Sequence, residues 1–267
     1  MSGIVEKAGR MADVTHAATP ARRRPATFAS LLADLLRADP GRPLLTWYGH
    51  DADGQVVDRT ELSVTTYANW VAKTAGLLTD ALDLERGDRL LVDLPTHWLG
   101  PVVAGAAWTA GLVVLLPDHP GADDADAVVC GPDRLERWAP EADRRVVVAA
   151  ALTPLARPFA DGVPAGVHDL GVEVWGQPDA YVALDPPTPE DPALGARTHA
   201  ELFGATGSAP ARVLAHALTD EGAVATAWSV LVAGGSLVLV DDEAPLSPWW
   251  RERRLVLERD ERISPAG

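Results

Sequence analysis

The segment from Tyr67 to Pro117 constrains the fold of this chain more than any other. Tyr67, Trp70, Val71, Thr74, Leu78 and Leu82 recur at spacings of three and four, which puts them on one face of a helix. Ser63 or Thr65 can cap its start, because a side-chain oxygen there accepts an orphan backbone N–H. Leu84–Asp88 breaks the period, with Gly87 in a turn, and Arg89–Leu94 follows as a short apolar strand. His97–Ala110 is apolar almost all round, with Gly100 and Gly105 permitting close approach, which predicts a helix buried on most sides. Leu112–Leu116 is a continuous apolar run ending at Pro117, the pattern of a strand covered on both faces. Strand, helix and strand of this length make a βαβ unit with a right-handed crossover. The expected fold class is therefore α/β, a mainly parallel sheet flanked by helices.

The rest of the chain extends this plan. Met1–Pro25 has no apolar period and is expected to be a disordered tail; Met1 or Met11 is the start. Phe28–Ala38 reads as an amphipathic helix. Leu44–Tyr48 and Gln55–Leu62 read as a hairpin around Asp51–Gly54. After Pro117, strands are expected at Ala125–Cys130 and Arg145–Ala150, with a short helix at Asp133–Trp138 between them. Ala156–Gly171 reads as loop, Val172–Trp175 and Tyr181–Leu184 as short strands, and Thr198–Phe203 as a helix start. Arg212–Ala217, Asp220–Val232 and Ser236–Val240 read as strand, helix and strand. The expected domain is residues 26–243, as one unit or two subdomains, with 244–267 as a C-terminal tail whose Trp249-Trp250 pair covers a surface or meets a partner.

Charge and cysteine usage exclude several function classes. The chain has 267 residues and a formal charge of −15, so it is repelled by nucleic acid and by anionic membrane surfaces. No run approaches the roughly 20 apolar residues that span a bilayer. Arg22–Arg24 precedes an amphipathic helix rather than an export signal. The one cysteine, Cys130, ends an apolar run and can form no internal bridge, which favours a cytoplasmic setting.

The stretch "TTYANWVAKTAGLLTDALDLERGDRLLVDLPTHWLGPVVAGAAWTAGLVVLLP" resembles the start of an adenylate-forming (AMP-binding, acyl-CoA synthetase-like) domain. The resemblance lies in Thr66-Tyr67 opening a helix, Gly87-Asp88 before a strand and Ala110-Gly111 before the next. It extends over roughly Phe28–Asp241 and is similar to that of short actinobacterial proteins that look like truncated AMP-binding domains. In the family, a loop of the type Thr-Ser-Gly-Thr-Thr-Gly-x-Pro-Lys cradles the ATP phosphates, and a Thr-His pair follows. Here the pair is Thr198-His199, and counting back puts the loop on Asp185–Ala193, "DPPTPEDPA". Thr188 and Pro192 match, while Pro187 and Glu190 replace the glycines and Ala193 replaces the lysine.

Those replacements change the chemistry. A phosphate cradle needs backbone N–H groups aimed at the anion. Pro186, Pro187, Pro189 and Pro192 have none to offer, and Asp185, Glu190 and Asp191 bring negative charge. Two like charges about 4 Å apart near a surface repel by roughly 4 kcal/mol before screening. No other Gly-rich segment ends in lysine, since the only lysines are Lys7 and Lys73. By spacing, Thr219 falls where the family has a His or aromatic residue beside the acyl pocket, and Gly234-Gly235 keeps the family's turn. The later nucleotide motifs and the C-terminal domain with its catalytic lysine have no counterpart in the sequence.

Other constellations are bland. His199-Ala200-Glu201 has the His-x-Glu spacing of a zinc deaminase, but no Pro-Cys-x-x-Cys follows, and an ordinary helix start accounts for it. Gly204–Ser208 reads as a plain turn before it reads as an anion nest. The histidines do not cluster at metal-ligand spacing, so no metal and no cofactor is expected. His97 follows the carboxyl end of a strand, where α/β sheets bind ligands. With Thr198, His199 and Thr219 it makes the expected ligand pocket. The resemblance implies a non-catalytic relative of adenylate-forming enzymes that acts as a binding or interaction protein. The alternative is a partial acyl-activating enzyme that binds an acyl or CoA-like ligand, or that a partner chain completes. The expected partner is a second copy or another protein, not nucleic acid or membrane.

Overall fold

A computed structural model describes residues 26–50, 56–204, 209–216, 218–241 and 248–264. The expected tail Met1–Pro25, the turn Asp51–Gly54 and most of Gly204–Ser208 lie outside the described residues, as do the side chains of Trp249 and Trp250.

Two sheets organise the chain. The larger has seven strands in the order β7-β6-β5-β3-β4-β8-β9. They are β3 Arg89–Asp93, β4 Val113–Leu115, β5 Ala127–Cys130, β6 Val146–Ala149, β7 His168–Asp169, β8 Pro192–Leu194 and β9 Arg197–Thr198. All pairs are parallel except β8 with β9. The smaller has four, in the order β10-β11-β1-β2: β1 Pro43–His50, β2 Val56–Ser63, β10 Arg212–Ala215 and β11 Ser236–Val240. There β1 and β2 are the antiparallel hairpin, and β10, β11 and β1 run parallel. The α/β class with mostly parallel sheets is what the sequence implies.

The βαβ unit is β3, α3 (Leu99–Ala110) and β4, with Leu91 paired to Leu115. Helix α3 is buried on nearly every side, as its all-round apolar sequence requires. Gly105 earns its place, since a Cβ there would lie 2.5 Å from the Tyr67 hydroxyl, whereas Gly100 has open space. Helices α1 (Phe28–Ala38) and α2 (Val64–Gly76) pack against α3. Ser63, rather than Thr65, caps α2 by accepting the Thr66 N–H at 3.1 Å. Leu77–Ala81 continues α2 as a π-turn.

Three expectations are corrected. Val172–Trp175 is not a strand: α5 (Leu170–Glu173) and a 3₁₀ turn, Val174–Gly176, occupy it. Asp169 caps α5 by accepting the Gly171 N–H at 2.9 Å, and this local bond overrides the β preference of Val172 and Val174. Tyr181–Leu184 joins no sheet and leaves Val182 and Leu184 exposed. The last strand of the larger sheet's other end, β7, lies inside the segment expected to be all loop. In the C-terminal segment, α8 (Pro248–Asp260) packs Leu257 near Val240, and Glu261 bonds to Tyr48 and Arg212.

Candidate functional site

Two places carry the sequence-predicted site residues. The first is a cavity where the two sheets' connections meet. The carboxyl end of β3 runs into Leu94–His97, and α7 (Glu221–Val232) crosses between β10 and β11. Val92, Thr96, His97, Val114, Val224 and Trp228 line the space between them. It measures about 30 Å³ and is partly open to solvent. No lining residue carries a formal charge at neutral pH.

His97 does not enter α3. Its ring stays ahead of the helix and its Nδ1 accepts the Leu99 N–H at 3.2 Å, where α3 begins two residues later than expected. The Trp47 ring meets it edge-on at 4.3 Å. Burial pushes the imidazole down to about 3, so it is neutral at physiological pH. With Nδ1 accepting, the remaining proton sits on Nε2, which has no partner. Trp228 is buried too, and its indole Nε1–H is likewise unpaired. Thr96 closes the floor: its hydroxyl oxygen accepts the Leu218 N–H at 3.0 Å, and its carbonyl accepts the Trp47 indole N–H at 3.0 Å.

The second place is the proline bend, Asp185–Ala193. Its entry is prepared elsewhere. Gly111 ends α3 at φ 85°, which only glycine adopts without strain, and its carbonyl accepts the Gly87 N–H at 2.9 Å. This pairing brings together the Gly87-Asp88 and Ala110-Gly111 signatures and fixes Arg86 over the bend. Arg86 bonds Asp185 at 2.8 Å and Asp191 at 2.8 Å. Asp191 also accepts the Thr188 N–H at 2.6 Å. The hydrogen bond from Arg86, ahead of that from Thr188, holds the Asp191 carboxyl below the usual carboxylate range.

Within the bend, the Thr188 amide and the Arg86 guanidinium are thus both taken up by the Asp191 carboxylate. The start of α6 (His199–Phe203) is also spoken for. The His199 N–H donates to the Asp191 carbonyl at 2.9 Å and the Ala200 N–H to the Pro189 carbonyl at 2.8 Å. Thr198 and Glu201 form a reciprocal capping box. Ala193, where the resemblance would place a lysine, is fully buried in β8, and its carbonyl accepts the Trp108 indole N–H at 2.6 Å.

The structure brings His97 into the cavity but not Thr198 or His199, which sit with the bend. His199 is buried beside Phe203, its Nδ1 facing the Phe28 N–H at 3.5 Å, and burial pushes it down to about 4. Thr219 is exposed next to Leu218 on the cavity's rim. Glu201 serves the cap, and among the described residues no group of His, Cys, Asp or Glu could hold a metal. Cys130 is a buried strand end whose thiol burial pushes up to about 12, so it is no nucleophile. Sequence reasoning missed Trp228 and Arg86. An acidic bend needs a cation nearby, and that signal could have found Arg86.

No family model matches the chain. It is 35% identical over 260 residues to the TIGR03089 family protein of Mycobacterium tuberculosis, over 90% of this chain and 98% of that one. Among solved structures it is similar to the N-terminal domain of FACL13 from Mycobacterium tuberculosis, with TM-score 0.62 and 14% identity over 89% of this chain and 61% of that one. It is also similar to a Mycobacterium tuberculosis fatty acyl CoA synthetase, with TM-score 0.61 and 14% identity over 89% of this chain and 48% of that one. A Brucella canis acyl-CoA synthetase gives 0.59 and 15%, over 87% of this chain and 45% of that one. The chain thus spans about half the length of these structures, and likeness at such identity concerns the fold.

Proposed function

The chain belongs to the TIGR03089 family, and from the chemistry of its two candidate sites we propose that it is a non-catalytic relative of adenylate-forming enzymes, acting as a binding protein. The observation that carries this reading is Asp191. Its carboxylate takes the Thr188 amide and the Arg86 guanidinium, the kind of donors that a triphosphate would need. A nucleotide would have to displace that internal ion pair and then face Asp185, Glu190 and Asp191 without a lysine. Prolines at 186, 187, 189 and 192 leave too few amides to compensate. The cavity beside His97 offers a binding site that needs none of this machinery.

Isothermal titration of the full chain with ATP–Mg²⁺ tests the reading. The expected result is no saturable heat below about 1 mM, a free energy weaker than roughly 4 kcal/mol. Micromolar binding would overturn it.

A further inference from the structure

The edges of the two sheets are not treated alike. Among the described residues, three are blunted. At the ends of the larger sheet, β7 and β9 are two residues long each. At one end of the smaller sheet, β10 is met by the chain's own C-terminal segment. The Ser264 N–H donates to the Arg212 carbonyl at 2.8 Å, and the Arg212 N–H donates to the Ser264 hydroxyl at 3.0 Å. The other end is β2, which is eight residues long and pairs with β1 alone. An edge of that length presents a row of outward amides and carbonyls to another strand. Val57 on it is 64% exposed.

We propose that β2 pairs with β2 of a second copy, antiparallel about a two-fold axis at Thr60, so that the two smaller sheets become one. The dimer requires nothing of the cavity or the bend, so it stands or falls apart from what they bind.

The register follows from pleat and charge. Outward-pointing amides alternate along a strand, so a strand that pairs with its own copy sets odd residues against odd and even against even. The two-fold axis therefore passes through a residue, not between two. An axis at Asp58, Arg59 or Glu61 would set a charge against its own copy, which is destabilising. An axis at Thr60 sets threonine against threonine and Arg59 against the partner's Glu61, once on each side of the axis. Opposite charges directly across a pair of strands attract. The pairing then runs from Val57 to Ser63, which covers the exposed valine.

The two charges are prepared for this. Arg59 is held by the Tyr48 hydroxyl at 2.9 Å, by Glu61 at 2.7 Å and by Glu261 at 3.0 Å, so its side chain is ordered before a partner arrives. The Arg59 and Glu61 side chains still keep 42% and 37% of their surface exposed. Charges on an edge strand ordinarily turn away whatever approaches. Here the two have opposite signs and lie two residues apart on one face of the pleat, so they reject the wrong registers and accept one. Each copy's formal charge of −15 opposes association at long range. Pairing is therefore weak and favoured by physiological salt, where the screening length is about 8 Å.

Sedimentation velocity on the full chain, from about 10 to 500 µM in about 0.15 M salt, should show the mean mass rising toward that of two chains. Cross-linking reads the register. The one native cysteine, Cys130, is buried, so an added surface cysteine is the accessible thiol. Thr60→Cys lies directly across from its own copy, with Cβ atoms about 5 Å apart, and should give a disulfide-linked dimer under mild oxidation. Asp58→Cys lies four residues out of register with its own copy, about 14 Å away, and should cross-link at least about tenfold more slowly. Adding Glu61→Arg to Thr60→Cys sets arginine against Arg59 and should cut the cross-linking rate about tenfold. Circular dichroism melting shows whether that variant folds; where it does not, Thr60→Cys against Asp58→Cys decides. A single-chain mass at every concentration would overturn the proposal. So would equal cross-linking at positions 58 and 60, which would mark random collision or another interface.

Discussion

The cavity beside His97 and the bend at Asp185–Ala193 are linked through one buried side chain, and they are opposites in chemistry. The cavity is an apolar hole with two donors left over. The bend is a charged turn whose Thr188 and Asp191 amides are taken, by the Asp191 carboxylate and by the Thr188 carbonyl. Trp108 joins them, stacking edge-on against Trp228 at 5.0 Å while its indole N–H holds the Ala193 carbonyl at 2.6 Å. The difference teaches that unmet hydrogen-bonding groups and a family motif's position need not coincide in one chain.

The most severe way to break the comparison is to remove the ring that links the two places. Trp108→Ala deletes a fully buried ring that also packs on Phe28 and Phe203. It should cost about 3–5 kcal/mol of unfolding free energy, measured by denaturant titration. A loss of under about 1 kcal/mol would mean that the two regions do not share a rigid support.

Ala193→Lys comes next, because it restores the lysine that the resemblance calls for. The side chain at that position is fully buried in β8, so overpacking and an unpaired ammonium should destabilise the fold by about 3 kcal/mol. No ATP binding should be gained. A stable variant that binds ATP–Mg²⁺ would show the bend to be a dormant phosphate site.

The third test is pH. Burial lowers His97 to about 3 and His199 to about 4, each from an unfolded value of 6.5. Between pH 6.5 and about 5 the unfolded chain therefore binds protons that the folded chain does not, and stability falls as pH falls. The expected loss over that window is about 1.5 kcal/mol for each ring. A flat profile would mean that burial does not depress either ring.

The smallest effect sharpens the account of the bend alone. Asp191→Ala frees the Thr188 amide, whose hydrogen exchange should rise about fivefold while global stability barely changes. Unchanged exchange would mean that Asp191 does not hold the turn.

How much of this was legible beforehand follows from the range of the interactions. The βαβ unit was readable because period and breakers are local: the face through Tyr67 and Trp70, the turn at Gly87 and the run to Leu116 all survive in the fold. The α5 helix was not, because Val172 and Val174 favour a strand and only the Asp169 cap reverses them. The bend's loss of glycine and lysine was visible. That Arg86 bonds to it was not, because the two lie about a hundred residues apart in sequence. His97 was legible as a residue after a strand's carboxyl end. Trp228 was not, since an unpaired indole N–H becomes visible only when everything around it has been placed.

The central claim is that Asp191 holds the Thr188 amide and the Arg86 guanidinium of the bend, leaving neither for a phosphate. A crystal structure of the chain soaked with a non-hydrolysable ATP analogue and Mg²⁺ tests it most directly. The account predicts an intact Arg86–Asp191 pair, with no phosphate density against the Thr188 amide. Phosphate density at that amide, with Asp191 swung away, would contradict it.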